Sequence, residues 1–168
     1  RIVLEATGIY SLDVALALHG AGHAVMVVNP RAARDFARAL LQRTSTDAIA
    51  ASTLREFAPR MPFLPWQPPA VAVRELRELA RRIAALVAER AAEKNRLHAL
   101  RATQDTPAVV RRDVEGNIRA LTRRVLQLLR AARTLVAAAP LLQRPHEQLR
   151  SIKGVGPASA VQLLGELL

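Results

Sequence analysis

Five prolines fall within eleven residues, at positions 59, 62, 65, 68 and 69 of PRMPFLPWQPP. No helix interior or central strand accommodates that density, because each proline removes a backbone donor and fixes φ near −65°. The segment therefore reads as an extended linker, and the chain on its two sides follows different patterns. On the N-terminal side, IVLEATG is a short β-branched, apolar run closed by a Thr-Gly break, and HAVMVVNP is a second closed by Asn29 and Pro30. Between them, IYSLDVALALHGAG sets Leu12 and Leu16 on one helical face and ends in glycines. Strand, helix, strand in that order predicts a parallel β-α-β unit. From Arg31 the spacing of Ala33, Phe36, Ala37, Leu40 and Leu41 turns helical, and a further helix is expected to begin at Thr46 or Asp47 and to end at Pro59.

Beyond the prolines the pattern changes to long helix. Leu76, Leu79, Ile83 and Leu86 follow three- and four-residue steps, Arg90 and Glu93 interrupt the apolar seam, and Leu97 and Leu100 resume it. After a turn signal at Thr106 and Pro107, a second seam runs through Val114, Ile118, Leu121, Val125, Leu128, Ala132 and Leu135. Two helices of roughly 30 residues, each about 45 Å long, are expected to pack as an antiparallel hairpin or coiled coil. The first meaning of such stripes is core packing. A heptad seam also makes a homo-oligomer through the coiled coil plausible.

Charge is concentrated on those helices. Residues 1–69 hold 7 basic and 5 acidic side chains, residues 70–150 hold 17 and 8, and residues 151–168 hold 1 and 1. Of the 25 cations only Lys94 and Lys153 are lysine. Arginine's planar fork suits bidentate contact with phosphate, so a nucleic acid is the natural partner, with Arg111, Arg112, Arg119, Arg123 and Arg124 as the candidate contacts on the second helix. The alternative is an arginine-rich composition that merely solvates helix faces. There is no cysteine, which excludes disulfides, thiolate metal sites and cysteine nucleophiles. The most apolar uncharged stretch, residues 11–30, is interrupted by Asp13, two histidines and two glycines, so no membrane span is expected and a cytoplasmic address is the default. Arg1 in place of Met, and an apolar helical pattern still running at Leu168, read as truncation at both ends.

Near the C-terminus, SIKGVGPASAVQLLGEL places Gly154 and Gly156 around Val155, with Pro157 where a helix would begin. This resembles a helix-hairpin-helix element. Two glycines permit a tight turn whose N–H groups point outward together, Lys153 adds a charge, and the positive end of the following helix faces a phosphate without reading bases. A plain turn before a packing helix satisfies the same residues, and the first helix, around His146 to Ser151, is expected to be short. The four histidines, His19, His23, His98 and His146, lack metal-ligand spacing and are expected on the surface or in loops.

Glu5 at a strand end and Asp47 at the start of a later helix occupy places from which carboxylates hold magnesium. Two carboxylates so far apart are weak evidence alone, and a strand-end glutamate is more often solvated. LEATGIY, GHAVMVVNPRAARDFARAL, TSTDAIAASTLREFA, AEKNRLHAL and SIKGVGPASAVQLLGEL, in that order, closely resemble the DEDD transposases of the insertion-sequence-one-hundred-and-ten family across nearly the whole chain.

That resemblance implies an α/β N-terminal RNase H-like (RuvC-like) part over residues 1–58, the Pro-rich linker over 59–69, a basic coiled-coil helical hairpin over 70–138, and over 139–168 the start of a C-terminal transposase domain opening with the helix-hairpin-helix. It further implies a recombinase guided by a structured bridge RNA, acting on DNA in the bacterial, nucleoid-associated cytoplasm, with magnesium on RuvC-like carboxylates and a nucleophilic serine in the C-terminal domain. Residue by residue, Glu5 matches the second acidic ligand, Asp47 the third, and Ala50 stands where the fourth belongs; the first Asp and the serine lie outside the chain. The family's usual lysine is replaced at Ser45. A chain so equipped is expected to bind DNA and guide RNA but not to recombine DNA alone. The rival readings are a non-catalytic basic coiled-coil module that binds nucleic acid, and a RuvC-like resolvase using metal-activated water. Tyr10 is expected to pack, and Asn29 to cap the next helix.

Overall fold

The computed structural model describes residues 1–7, 10–42 and 46–168, which leaves Gly8 and the Ser45 substitution outside the described residues. The chain forms two compact units, Arg1–Pro68 and Pro69–Leu168.

In the first unit, β1 (Ile2–Glu5) and β2 (Val25–Val28) pair in parallel, with Ile2 opposite Val25 and Glu5 opposite Val28. The helix between them, α1, covers Ser11–Gly20. The β-branched runs thus form strands and the Gly-rich break ends the crossover helix, with Gly22 at φ +82°, a conformation open to a residue without Cβ. Helix α2 (Pro30–Ala39) begins at Asn29, whose Oδ1 accepts from the Arg31 N–H at 2.8 Å while Pro30 occupies the first helical position. Helix α3 (Asp47–Arg60) is capped by Thr46, whose hydroxyl accepts from the Ile49 N–H. Met26, Val28, Ala33 and Phe57 make the core, with Val3, Phe36, Leu54 and Phe63 packed against it.

Two expectations at the proline segment are corrected. Helix α3 passes through Pro59 and ends one residue later, because a proline in the last turn forfeits one donor while the Met61 N–H still closes on the Phe57 carbonyl at 3.0 Å. The extended stretch that follows is more than a spacer. The Trp66 N–H donates to the Val25 carbonyl at 2.7 Å, the Trp66 ring meets His19 edge-on at 6.0 Å, and Phe63 joins the core. Tyr10, expected to pack, is 72% exposed.

The second unit is all helix: α4 (Val71–Ala102), α5 (Ala108–Ala138), α6 (Pro140–Ser151) and α7 (Pro157–Leu167). The first two pack along each other, and Arg101 near the end of α4 pairs with Glu115 near the start of α5 at 2.8 Å, as antiparallel neighbours require. The seam buries Leu76, Ile83 and Leu86 of α4 against Leu121, Val125 and Ala132 of α5, and the same core takes in Leu142 of α6 and Val161 and Leu164 of α7. Ala80, not Leu79, is the buried residue at its step, because α7 packs there and leaves room only for a methyl group. Helix α6 has 12 residues, so the first arm of the glycine turn is about twice the length expected from sequence, and Pro145 lies within it. Among the described residues, no helix is long and apolar enough to cross a membrane.

Candidate functional site

Glu5 closes β1, and the carboxyl ends of parallel strands are where open α/β sheets receive ligands. A cleft of about 310 Å³ opens there. Its walls are Glu5, Pro30 with Ala33, Arg34, Ala37 and Arg38 of α2, then Gln42, then Ile49, Ala50 and Thr53 of α3. The Thr7 hydroxyl donates to Glu5 Oε1 at 2.5 Å, which orients the carboxylate. Thr53, 3% exposed, places its hydroxyl 2.8 Å from the Ile49 carbonyl and 2.7 Å from Gln42 Oε1, so the segment after α2 is tied to α3.

Of the residues singled out from sequence, the structure brings Glu5 and Ala50 to the same cleft. Asp47 lies one turn before Ala50, on the exposed first turn of α3, and is not part of the lining. Arg34 and Arg38, which sequence reasoning missed, face the same space; their signal was an i, i+4 spacing beside the buried Ala33 and half-buried Ala37. Arg38 is also 3.4 Å from Asp35. A divalent cation of the magnesium type demands several oxygen ligands, most of them charged. The lining sets Glu5 against Arg34 and the Asp35-paired Arg38, Ala50 offers no side-chain ligand, and the described residues contain no group of three or more His, Cys, Asp or Glu able to hold a metal. The residues present do not fit such an ion.

The second unit carries the charge, and its two long helices carry it differently. On α4, Arg81 pairs with Glu78, Arg82 with Glu89 and Arg96 with Glu93. Helix α5 holds seven arginines against Asp113 and Glu115, and among the described ion pairs none of those seven meets a carboxylate. At 3.6 residues per turn, Arg112, Arg119, Arg123 and Arg130 fall within about 40° of one another, on the face roughly opposite the buried Val114, Leu121, Val125 and Ala132. All four are exposed. They form a stripe about 27 Å long that points away from the hairpin seam. Arg111 and Arg124 flank it on other faces.

The turn between α6 and α7 is built as its glycines suggest. Gly154 has φ +90°, the Val155 N–H closes on the Ile152 carbonyl at 3.1 Å, and Gly156 precedes Pro157 at the first position of α7. No side chain caps that helix start, and Lys153 stands beside it. His146, expected on the surface or in a loop, lies half-buried on α6. Burial, then the guanidiniums of Arg150 and Arg133, hold its imidazole below its ordinary pKa, and Glu147 acts in the opposite direction.

Residues 1–103 match a family model of transposases, the DEDD type of IS110. No curated protein gives a significant match to the chain.

Proposed function

Because the chain belongs to the DEDD transposase family of IS110 type, we propose that it acts in DNA transposition as a nucleic-acid-binding part of the machinery, engaging DNA and a structured guide RNA and not cutting DNA by itself. The observation that carries the proposal is the α5 stripe, in which four exposed arginines share one face with no carboxylate partner among the described ion pairs. Arginines used only for solubility interleave with acids, as they do on α4; a row left unpaired is arranged for an external polyanion. Arg111 and Arg124 widen the basic surface, and Lys153, Gly154 and Gly156 offer backbone N–H groups and one charge to a phosphate in the manner of a helix-hairpin-helix.

Within this reading the domains are a RuvC-like, RNase H-like part over 1–58, a linker over 59–69, a coiled-coil hairpin over 70–138 that also serves self-association, and the start of a C-terminal transposase domain over 139–168. Glu5 and Asp47 are the two carboxylates we assign to the family's divalent-metal site. With Ala50 at the fourth acidic position and Arg34 and Arg38 beside Glu5 in the cleft, that set is too small to hold the ion. The same observation favours a second reading, a binding module whose role is purely to hold nucleic acid.

Salt dependence tests the proposal. With duplex DNA, log affinity should fall linearly with log salt by about 0.9 for each phosphate neutralised, and with single-stranded RNA by about 0.7. A response that does not depend on salt would overturn it. Both readings predict that slope, and magnesium-dependent strand cleavage by the chain alone would contradict both; preferential binding of a structured RNA over duplex DNA would favour the first.

A further inference from the structure

Resting on the nucleic-acid reading above, we infer that Arg133 of α5, with His146 and Arg150 of α6, forms a separate site for a backbone phosphate, at which the phosphate and a proton bind together. His146 and Arg150 are four residues apart near the end of α6 and so share a face. Arg133 lies one turn before Ala137 on α5 and His146 one turn after Gln143 on α6, so the packing of the two helices sets these turns near each other. The two helices are held in place here by the Gln143 side-chain amide, which donates to the Ala137 carbonyl at 2.7 Å. Neither Arg133 nor Arg150 meets a carboxylate among the described ion pairs. The charged groups nearest His146 along its own helix are Arg144, Glu147 and Arg150, Arg133 is on the adjoining part of α5, and α7, also packed on α6, has Glu166 as its single ionisable side chain.

Guanidiniums near a histidine oppose its protonation, and an anion held by those guanidiniums removes that opposition. A phosphodiester accepts the arginine forks and replaces repulsion by attraction at the imidazole, so the ring takes up a proton as the phosphate arrives. The position suits a continuing backbone. Arg133 lies three residues beyond Arg130, at the edge of the stripe face, and from it the charge passes to α6.

The full chain is titrated with a short DNA duplex, and with an RNA duplex of the same sequence, at constant ionic strength between about pH 8 and pH 5.5. Binding should tighten as pH falls, up to about tenfold for each unit by which occupancy raises the imidazole pKa. His146→Gln should flatten this slope, and Arg133→Gln should weaken binding and reduce the slope together. Arg119→Gln, in the stripe, should weaken binding at every pH and leave the slope as it was. In the unaltered chain, the His146 ring resonance followed by NMR should titrate at higher pH once duplex is added. A slope that survives His146→Gln, or a His146 titration that saturating duplex leaves unmoved, overturns the site while the nucleic-acid reading stands. No binding of either duplex at any pH overturns that reading, and this site with it. A slope with either duplex that His146→Gln abolishes supports the site, and the duplex with the larger such slope identifies the backbone it takes.

Discussion

At Gly165 the packing of α7 on α4 leaves no room for a methyl group. A Cβ built there lies 2.7 Å from Ala80 Cβ, 3.4 Å from the Arg77 Cα and 3.5 Å from the Leu76 carbonyl oxygen. Carbon atoms settle at about 3.5–4.0 Å, so the closest overlap is roughly 1 Å. Every atom it meets belongs to the α4 backbone or is bonded to it, and relief therefore requires α7 to withdraw. Overpacking of that kind costs about 1–3 kcal/mol, against which alanine's better helix propensity returns up to about 1 kcal/mol. The propensity contribution is common to Gly165→Ala with and without Ala80→Gly, so a double-mutant cycle isolates the clash. Ala80→Gly removes the atom that Gly165→Ala would strike, and the double variant should be more stable than the two single effects predict by about 1–3 kcal/mol. In a unit of this size 1 kcal/mol moves the thermal midpoint by roughly 4–8 °C, well within reach of far-ultraviolet circular dichroism. Effects that add to within about 0.5 kcal/mol, or a Gly165→Ala chain more stable than its parent, would refute the account of this contact.

Four further outcomes are expected. Replacing Arg112, Arg119, Arg123 or Arg130 by Gln should each reduce the salt slope for duplex DNA by about 0.9, whereas Arg81→Gln, already paired with Glu78, should change it less; equal changes at both kinds of position would deny the stripe its role. Isothermal calorimetry with magnesium should give no saturable heat for the parent chain but a saturable one for Ala50→Asp that Glu5→Gln removes, and saturable heat from the parent would contradict the cleft's charge pattern. Gly154→Ala, at φ +90°, should cost about 1–2 kcal/mol while Gly156→Ala, with open space at its Cβ position, costs less; thermal melts decide it. His146 has a folded-state pKa below its unfolded value of about 6.5, so the unfolded chain binds the extra proton and stability declines as pH falls through 6.5 toward the folded pKa. Denaturant melts across that window should show the decline in the parent chain and not in His146→Gln.

The elements that sequence made legible are those whose signal is local. Residues IVLE and VMVV are strands because their apolar, β-branched character needs no distant partner to be recognised. Asn29 caps α2 through a bond two residues away, and the α4 and α5 seams repeat often enough to survive their interruptions. What escaped depends on neighbours remote in the chain. Trp66 and Phe63 sit among prolines that announce a linker, and only Val25 and the Met26–Phe57 core, once assembled, give them a place. Ala80 reads as one small residue among many until Gly165 arrives from the other end of the unit. The family's acidic positions could be named from the resemblance, but that Arg34 and Arg38 of α2 line one cleft with Glu5 depends on how the elements assemble, which no spacing displays. Tyr10, expected to pack, precedes the first residue of α1 and is exposed, and an aromatic ring in sequence does not report whether a neighbour covers it.

These details bear on how binding and cleavage separate in one chain. A metal-dependent cleft and a phosphate-binding surface make opposite electrostatic demands: the first concentrates carboxylates, the second disperses cations free of them. With aspartate at position 50 the cleft would hold two carboxylates facing Arg34 and Arg38, a balance that an added ion tips. With alanine there Glu5 is the one carboxylate of the lining, opposite Arg34 and an Arg38 already paired with Asp35, and the cleft lacks the charged oxygens that a divalent cation demands. The α5 stripe lies on a helix of the other compact unit, and none of its arginines lines the cleft. On the proposed reading, Ala50→Asp should therefore change the response to magnesium and leave the salt slope for duplex DNA as it was, and a slope that moves with that substitution would contradict the separation of the two roles.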